Sequence, residues 1–215
     1  MIVLKSEKEL RQMLEACRIS AEALKVAGEA VEPGVSTWEI DRVARKYIES
    51  KGAKPTFLNY NGFPASACIS INDEVIHGLP SKKRVIREGD IVSIDLGATI
   101  NGYHGDNAAT FAVGQISPEA QRLCDTTRES LYKGIEAAVP GGRIGDIGAA
   151  IDAYVRENGC STVKKYVGHG IGANLHEDPN VPNFGTAGHG PRLLKGMTLA
   201  IEPMVNAGVA DVHVL

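Results

Sequence analysis

An internal duplication constrains this chain more than any other feature of its sequence. Pro33 and Pro140, Gly34 and Gly141, Ile40 and Ile147, Tyr47 and Tyr154, and Gly52 and Gly159 are each 107 residues apart. Each set marks one plan: a helix, a Pro-Gly break, a second helix and a glycine stop. Ser6-Glu-Lys-Glu9 has the capping-box pattern and leads into Leu10, Met13, Leu14, Cys17 and Leu24 at helical spacing. Ser36-Thr-Trp-Glu39 caps the next helix, which carries Ile40, Val43, Ala44, Tyr47 and Ile48. In the second half Ser117-Pro118-Glu119 starts a helix bearing Leu123, Leu131 and Ile135, and its successor carries Ile147, Ile151, Tyr154 and Val155. Helix-turn-helix segments can look alike by chance, but five positions in one register favour a duplicated plan.

Strands complete each half. Residues 66–71 and 91–100 are rich in Ile and Val, and Asn101-Gly102 reads as a two-residue hairpin turn into 103–113. In the second half 162–167 and 197–201 read as strands. The stretch 168–196, rich in Gly, His and Pro, reads as loops near a site. The expected class is α/β (α+β): antiparallel strands flanked by helices in two pseudo-twofold halves, about 6–114 and 115–215, forming a single domain over 1–215.

Composition narrows the function. A formal net charge of −3 lacks the basic excess of general nucleic-acid binders, and Lys82-Lys83-Arg84 is short enough to be a solvated turn. The apolar run Met1–Leu4 is too short for a signal peptide and no apolar stretch spans a bilayer, so a cytoplasmic protein is expected. Cys17, Cys68, Cys124 and Cys160 are scattered with no C-x-x-C pair, which argues against a disulfide framework or a thiolate zinc site. Any metal would have to be held by carboxylates and imidazoles.

Those groups are present in a pattern. With a two-residue turn at Asn101-Gly102, Ile100 faces Tyr103 and Gly97 faces Asp106. Ser93, Asp95, Gly97 and Thr99 then share one face with His104, Asp106, Ala108 and Thr110, while Val92, Ile94, Leu96, Tyr103, Phe111 and Val113 take the other. Asp95 and Asp106 become diagonal neighbours with Cβ atoms roughly 7–8 Å apart or less, a separation suited to a metal pair ~3.5–4 Å apart. Taken alone, a solvated hairpin face explains two aspartates better. Three features shift that balance. Asp is disfavoured inside strands, Gly97 and Ala108 leave space beside the acids, and Glu202 follows Asp95 by the same 107 residues. Histidines add to the pattern: His169 in Gly168-His-Gly-Ile-Gly172, His176 in Leu175-His-Glu-Asp-Pro179, and His77 in Val75-Ile-His-Gly-Leu-Pro80. His104 and His189 read as outer or surface residues.

The run of motifs resembles type I methionine aminopeptidases over essentially the whole chain. It comprises Asn72–Pro80, Gly89–Asp95, Gly102–Asp106, Gly168–Gly172, His176–Pro179 and Gly196-Met-Thr-Leu-Ala-Ile-Glu202-Pro-Met204. The resemblance implies the pita-bread fold and removal of the initiator methionine from nascent polypeptides by a metal-bridged hydroxide. It implies two divalent ions (Co, Mn, Fe or Zn): Asp95 on one, Asp106 bridging both, His169 and Glu202 on the other. Glu202 would also act as general base. His176 would bond the scissile carbonyl, and His77 the scissile amide nitrogen or the next residue's backbone. Tyr60, Phe63 and Cys68 match the methionine pocket, with Leu175 as a further wall, although core packing explains Cys68 and Leu175 nearly as well. Implied partners are nascent peptides that begin with methionine and, as a further candidate, the ribosome surface. No membrane partner is implied, and a monomer is expected.

The resemblance also implies a fifth ligand, a glutamate bridging both ions, on a strand past residue 215. The duplication agrees, since the counterpart of hairpin 91–113 would run beyond that point. The second half is therefore expected to be incomplete, the sequence a fragment of a longer enzyme rather than a natural short form, and its activity alone weak or absent. His213 comes near the missing position by register and is the weaker candidate. Two relatives are disfavoured. Aminopeptidase P and prolidase carry an extra N-terminal domain, and type II enzymes carry a helical insertion between the His176 and Glu202 motifs. A non-catalytic pita-bread protein that binds polypeptides would have lost ligand residues, and Asp95, Asp106, His169 and Glu202 are all in place.

Overall fold

The computed structural model describes residues 1–214. The chain divides into two compact units. One holds Lys8–Ser117 with Gly172–Leu175, and the other holds Met1–Glu7, Pro118–Ile171 and the residues from His176 onward.

In the first unit α1 (Glu7–Glu29) and α2 (Thr37–Ser50) precede β1 (Lys54–Pro55), a 3-10 turn (Tyr60–Gly62), β2 (Ala67–Ile71), β3 (Ile91–Ile100) and β4 (Tyr103–Ala112). The Ser36 hydroxyl accepts from the Glu39 amide at 3.3 Å and the Ser36 amide donates back to the Glu39 carboxylate at 2.9 Å, the reciprocal cap expected for α2. At the hairpin turn Asn101 has φ 54° and Gly102 φ 79°. Both lie in the left-handed region that a tight two-residue turn needs. The β3–β4 register runs unbroken from Ile100 opposite Tyr103 to Ile91 opposite Ala112. β2 pairs with the other edge of β3, and β1 continues that edge.

The core lies between the helices and one face of this sheet. Val92, Ile94, Leu96 and Ala98 of β3, with Ala67 and Ile69 of β2, are buried with Ile19, Ala23 and Ala27 of α1 and Ile40, Ala44 and Ile48 of α2. The inward stripe of α1 differs from the expected one. Met13 and Leu24 are buried as expected, but Leu14 is 69% exposed and Ala16, Ile19, Ala23 and Ala27 complete the inward face. The reason is close backbone approach. A Cβ on Gly105 of β4 would stand 2.4 Å from the Ala16 carbonyl carbon, and one on Gly28 would stand 2.1 Å from the Phe111 ring. At that spacing alanines fit and leucines do not.

The second unit has α3 (Pro118–Ala137), α4 (Ile144–Glu157), β5 (Ser161–Thr162), β6 (Gly168–Gly170), β7 (Glu177–Val181), β8 (Leu199–Ala200) and β9 (Val205–Asn206). Its bonds repeat those of the first at the 107-residue offset. Gly34 donates to Ile86 as Gly141 does to Leu193, and Thr56 to Gly97 as Val163 does to Met204. Lys54 pairs with Thr99 as Ser161 does with Asn206. α3 presents small buried residues, Thr126, Ser130 and Gly134, and a Cβ on Gly134 would meet Ile151 of α4 at 2.8 Å. Ile135, expected on the inward stripe, is 48% exposed.

The strands of this unit depart from expectation. The stretch 162–167 contributes only the end of β5, and 197–201 only β8. Within the stretch read as loop, β6 and β7 form the sheet β7–β6–β8. Its glycines hid it. A Cβ on Gly168 would lie 2.3 Å from the Ala200 oxygen, and one on Gly170 would lie 2.3 Å from the Asp178 oxygen. Backbones therefore meet where β-branched residues, the usual strand signal, would not fit.

One buried acid anchors β2. The Asp41 carboxylate of α2 accepts from the Ser66 amide at 2.7 Å and the Ala67 amide at 2.9 Å. Burial pushes its pKa up, and those two bonds with Arg45 and Arg42 oppose the shift. Removing the acceptor leaves two buried donors unsatisfied, so Asp41→Ala is expected to cost about 2–4 kcal/mol and Asp41→Asn clearly less. Urea unfolding checks this: a midpoint for Asp41→Ala within experimental error of the parent would contradict it.

Candidate metal centre

The hairpin register sets the acids. Asp95 sits mid-strand in β3, opposite Ala108 of β4 and opposite Cys68 of β2, while Asp106 sits opposite Gly97. Both aspartates lie on the sheet face away from the buried Val92–Ile94–Leu96 row, as the alternation requires. Gly97 has a different role from the expected one. A Cβ there would meet the Thr56 side chain at 2.8 Å, so that place is filled by Thr56 rather than left open. The Thr56 hydroxyl bonds that of Thr99 at 2.8 Å, and Thr99 bonds His104 Nδ1 at 2.9 Å. His104 is thereby held two residues from Asp106 on the same face, and its amide donates to the Gly172 carbonyl at 2.9 Å. Two thiols record the local negative field. Burial first, then Asp95, Asp106 and Asp41, pushes the Cys68 thiol well above the usual range. Burial and then Asp106 also push the Cys17 thiol upward.

The other expected residues of this unit occupy separate elements. Tyr60 and Phe63 belong to a tight loop, Asn59 to Phe63, in which Asn59, Asn61 and Gly62 have positive φ. Cys68 and Leu175 are both buried. His77 has φ 61°, an uncommon conformation for a side-chain-bearing residue, and the following glycine holds it there. The Gly78 carbonyl accepts from the Ile69 amide at 2.8 Å, and its amide donates to the Ser70 hydroxyl at 3.1 Å. A Cβ at Gly78 would lie 2.2 Å from the Ile69 oxygen.

In the second unit β6 is the central strand, and His169 on it lies opposite Ala200 of β8 and Asn180 of β7. His169 is buried. Its Nδ1 lies 2.7 Å from the Gly170 carbonyl oxygen. A carbonyl only accepts, so Nδ1 carries the proton and Nε2 of the neutral ring is a lone pair. That Nε2 lies 3.4 Å from Glu202 Oε1. A lone pair facing a carboxylate repels unless a cation, either a proton or a metal ion, lies between them. The Nδ1–carbonyl bond is the outer contact that orients metal-ligating imidazoles. Glu202 itself follows β8, and the buried Asn183 side chain donates to its carbonyl at 2.9 Å. The His176 ring is 4.2 Å from that of His169, tilted by 57°. A jump in strand register brings it there: His169 pairs with Asn180, but Gly170 pairs with Glu177.

Among the described residues no group of three or more His, Cys, Asp or Glu side chains is placed to hold a metal ion. Each unit supplies a pair, Asp95 with Asp106 and His169 with Glu202. The donor types, carboxylate and imidazole oriented through Nδ1, fit a divalent ion of borderline hardness. Sequence reasoning missed Lys5, Glu177 and Asn183. Lys5 and Glu177 form a buried ion pair at 2.5 Å across 172 residues, a separation that no local pattern signals.

Comparison with known proteins adds family context. The profile described as metallopeptidase family M24 matches residues 11–213. The methionine aminopeptidase of Clostridium acetobutylicum is 53% identical, over 97% of this chain and 83% of that protein. Methionine aminopeptidase 1 of Bacillus subtilis is 50% identical, over 100% and 86%. Among solved structures, methionine aminopeptidase from Thermotoga maritima matches with TM-score 0.98 at 42% identity, over 100% of this chain and 86% of that one. The prolidase from Pyrococcus horikoshii matches with TM-score 0.79 at 28% identity, over 94% and 56%.

The partly desolvated His77 ring has its pKa pushed below the ordinary histidine value. It is neutral at neutral pH and protonates only as pH falls through the lowered folded value. Its contribution to stability is complete above the unfolded pKa and is lost on the acid side of it. Histidine ring NMR should give a His77 midpoint below ~6.5, and a midpoint at or above that value would contradict the account.

Proposed function

The chain belongs to metallopeptidase family M24, with the pita-bread fold, and we propose that it removes N-terminal methionine from polypeptides in a metal-dependent hydrolysis. The observation that carries the proposal furthest into this chain's own atoms is the His169–Glu202 pair: a ring oriented through Nδ1 brings Nε2 within 3.4 Å of Glu202 Oε1, two donors that one ion could share. The hairpin adds two carboxylates, Asp95 and Asp106, on one sheet face, donors of the type a divalent ion accepts.

The proposed ligand set is Asp95, Asp106, His169 and Glu202, for two divalent ions drawn from Co, Mn, Fe and Zn. Such ions supply Lewis acidity and a nucleophile from water near neutral pH when bound. The protein groups divide the remaining work. Glu202 accepts the proton of the attacking water as general base. His176, beside His169, donates to the scissile carbonyl oxygen as it gains negative charge. His77, neutral at working pH, contacts the scissile amide nitrogen or the backbone beyond it. Tyr60, Phe63 and Cys68 receive the methionine side chain. Cys68 stays protonated beside Asp95, so it acts there as a small apolar wall and not as a nucleophile. Nascent chains are the natural substrates in this reading, and the ribosome surface is a candidate partner. Among the described residues no helix is long and apolar enough to cross a membrane.

The test is release of free methionine from Met-Ala-Ser in the presence of Mn²⁺, whatever its absolute rate. Release should stop on chelation, spare the N-acetylated peptide, and fall at least ~100-fold in Asp106→Asn, the order expected for losing a metal-held charge stabiliser. Release that survives chelation, or that persists in Asp106→Asn, would overturn the assignment.

A further inference from the structure

His176 sits at the mouth of a register jump, and something must hold that jump in place. His176 immediately precedes Glu177, the first residue of β7, which pairs with Gly170 across the irregularity. The Glu177 side chain turns away into the interior, where its carboxylate meets Lys5 Nζ at 2.5 Å. The two side chains are only 3% and 7% exposed, so the pair is almost wholly desolvated. Lys5 is fixed in its turn. Its amide donates to the Gly196 carbonyl at 2.8 Å and its Nζ to the Val3 carbonyl at 3.2 Å. Gly196 has φ 93°, and a Cβ there would meet the Lys5 oxygen at 2.8 Å. Gly196 leads into β8, so the N-terminal segment ties the approach to β8 to the start of β7. Those strands flank β6 on either side, and β6 carries His169.

We infer that the buried Lys5–Glu177 ion pair positions His176 for catalysis. The ammonium holds the Glu177 carboxylate, the carboxylate fixes the first residue of β7, and that residue sets the direction of the imidazole one position earlier. Neither Lys5 nor Glu177 touches substrate; both act through His176. A desolvated pair suits this role, because moving either charge off its partner would leave the other buried and uncompensated. The inference rests on the aminopeptidase reading, in which His176 acts on the scissile carbonyl.

The experiment compares Lys5→Met, Lys5→Arg and His176→Ala, and adds Lys5→Met to His176→Ala, in hydrolysis of Met-Ala-Ser with Mn²⁺. Lys5→Met should lower kcat about 10- to 100-fold while KM and Mn²⁺ affinity move less than about threefold. Lys5→Arg should recover most of the loss, and Lys5→Met should cost nothing further once His176 is absent. Losses that multiply in the double variant, or a fall confined to Mn²⁺ affinity, overturn the inference. Ring NMR supplies a readout independent of turnover. Lys5→Met should shift the His176 resonances and leave those of His104 in place, and Lys5→Arg should restore them. Unmoved His176 resonances overturn the inference, and so does failure of Lys5→Met to fold while Lys5→Arg folds with displaced His176 signals. If the parent releases no methionine, the ring shifts decide the positioning, their appearance supporting it and their absence overturning it, whereas release that survives chelation sinks the aminopeptidase reading and leaves the positioning standing.

Discussion

The site depends first on the register of one hairpin. Asn101 and Gly102 both adopt positive φ, which makes the connection between β3 and β4 two residues long and nothing else. A strand has two faces, and a slip of one residue would carry Asp106 to the side occupied by Tyr103, Gly105 and Phe111. Gly105 permits no such slip, because α1 already lies against it at the Ala16 carbonyl. Helix packing on one face therefore locks the acids on the other. The cost of holding two like charges on one polar face is offset when a cation is shared, so in the proposed reading the same constraint that builds the core also prepares a cation site.

The second unit reaches a related result by different means. Its strands are too short to set a register by length, and glycines let them approach closely instead. His169 is oriented through a bond to its neighbour's carbonyl, Glu202 through Asn183, and His176 through a jump in pairing. One half places donors by an unbroken ladder, the other by local exceptions to one.

Much of this was legible in the sequence, and the reasons are particular. The Asn-Gly turn fixes its own length, so the facing of Gly97 and Asp106 followed from residue types alone. The 107-residue offset survives as matching hydrogen bonds, which is why Glu202 could be paired with Asp95. His169 could not be found that way. It lies opposite Ala200 as Ser70 lies opposite Ser93, an offset of 99, so the third strand does not keep the common spacing. The inward stripes of α1 and α3 were misjudged because hydrophobicity favours Leu14 and Ile135, whereas close packing selected Ala16, Ala27 and Gly134. Lys5 carried no signal, since a lysine near a chain start reads as solvated until its partner 172 residues away is seen.

The central claim is that the four donors, Asp95, Asp106, His169 and Glu202, hold divalent ions. Diffraction from crystals grown with Mn²⁺, with data collected to show its anomalous scattering, tests it directly. The account predicts anomalous peaks within coordination distance of carboxylate oxygens of Asp95 and Asp106, and of His169 Nε2 and Glu202. Saturating Mn²⁺ with no peak at these atoms, or peaks confined to other residues, would contradict it.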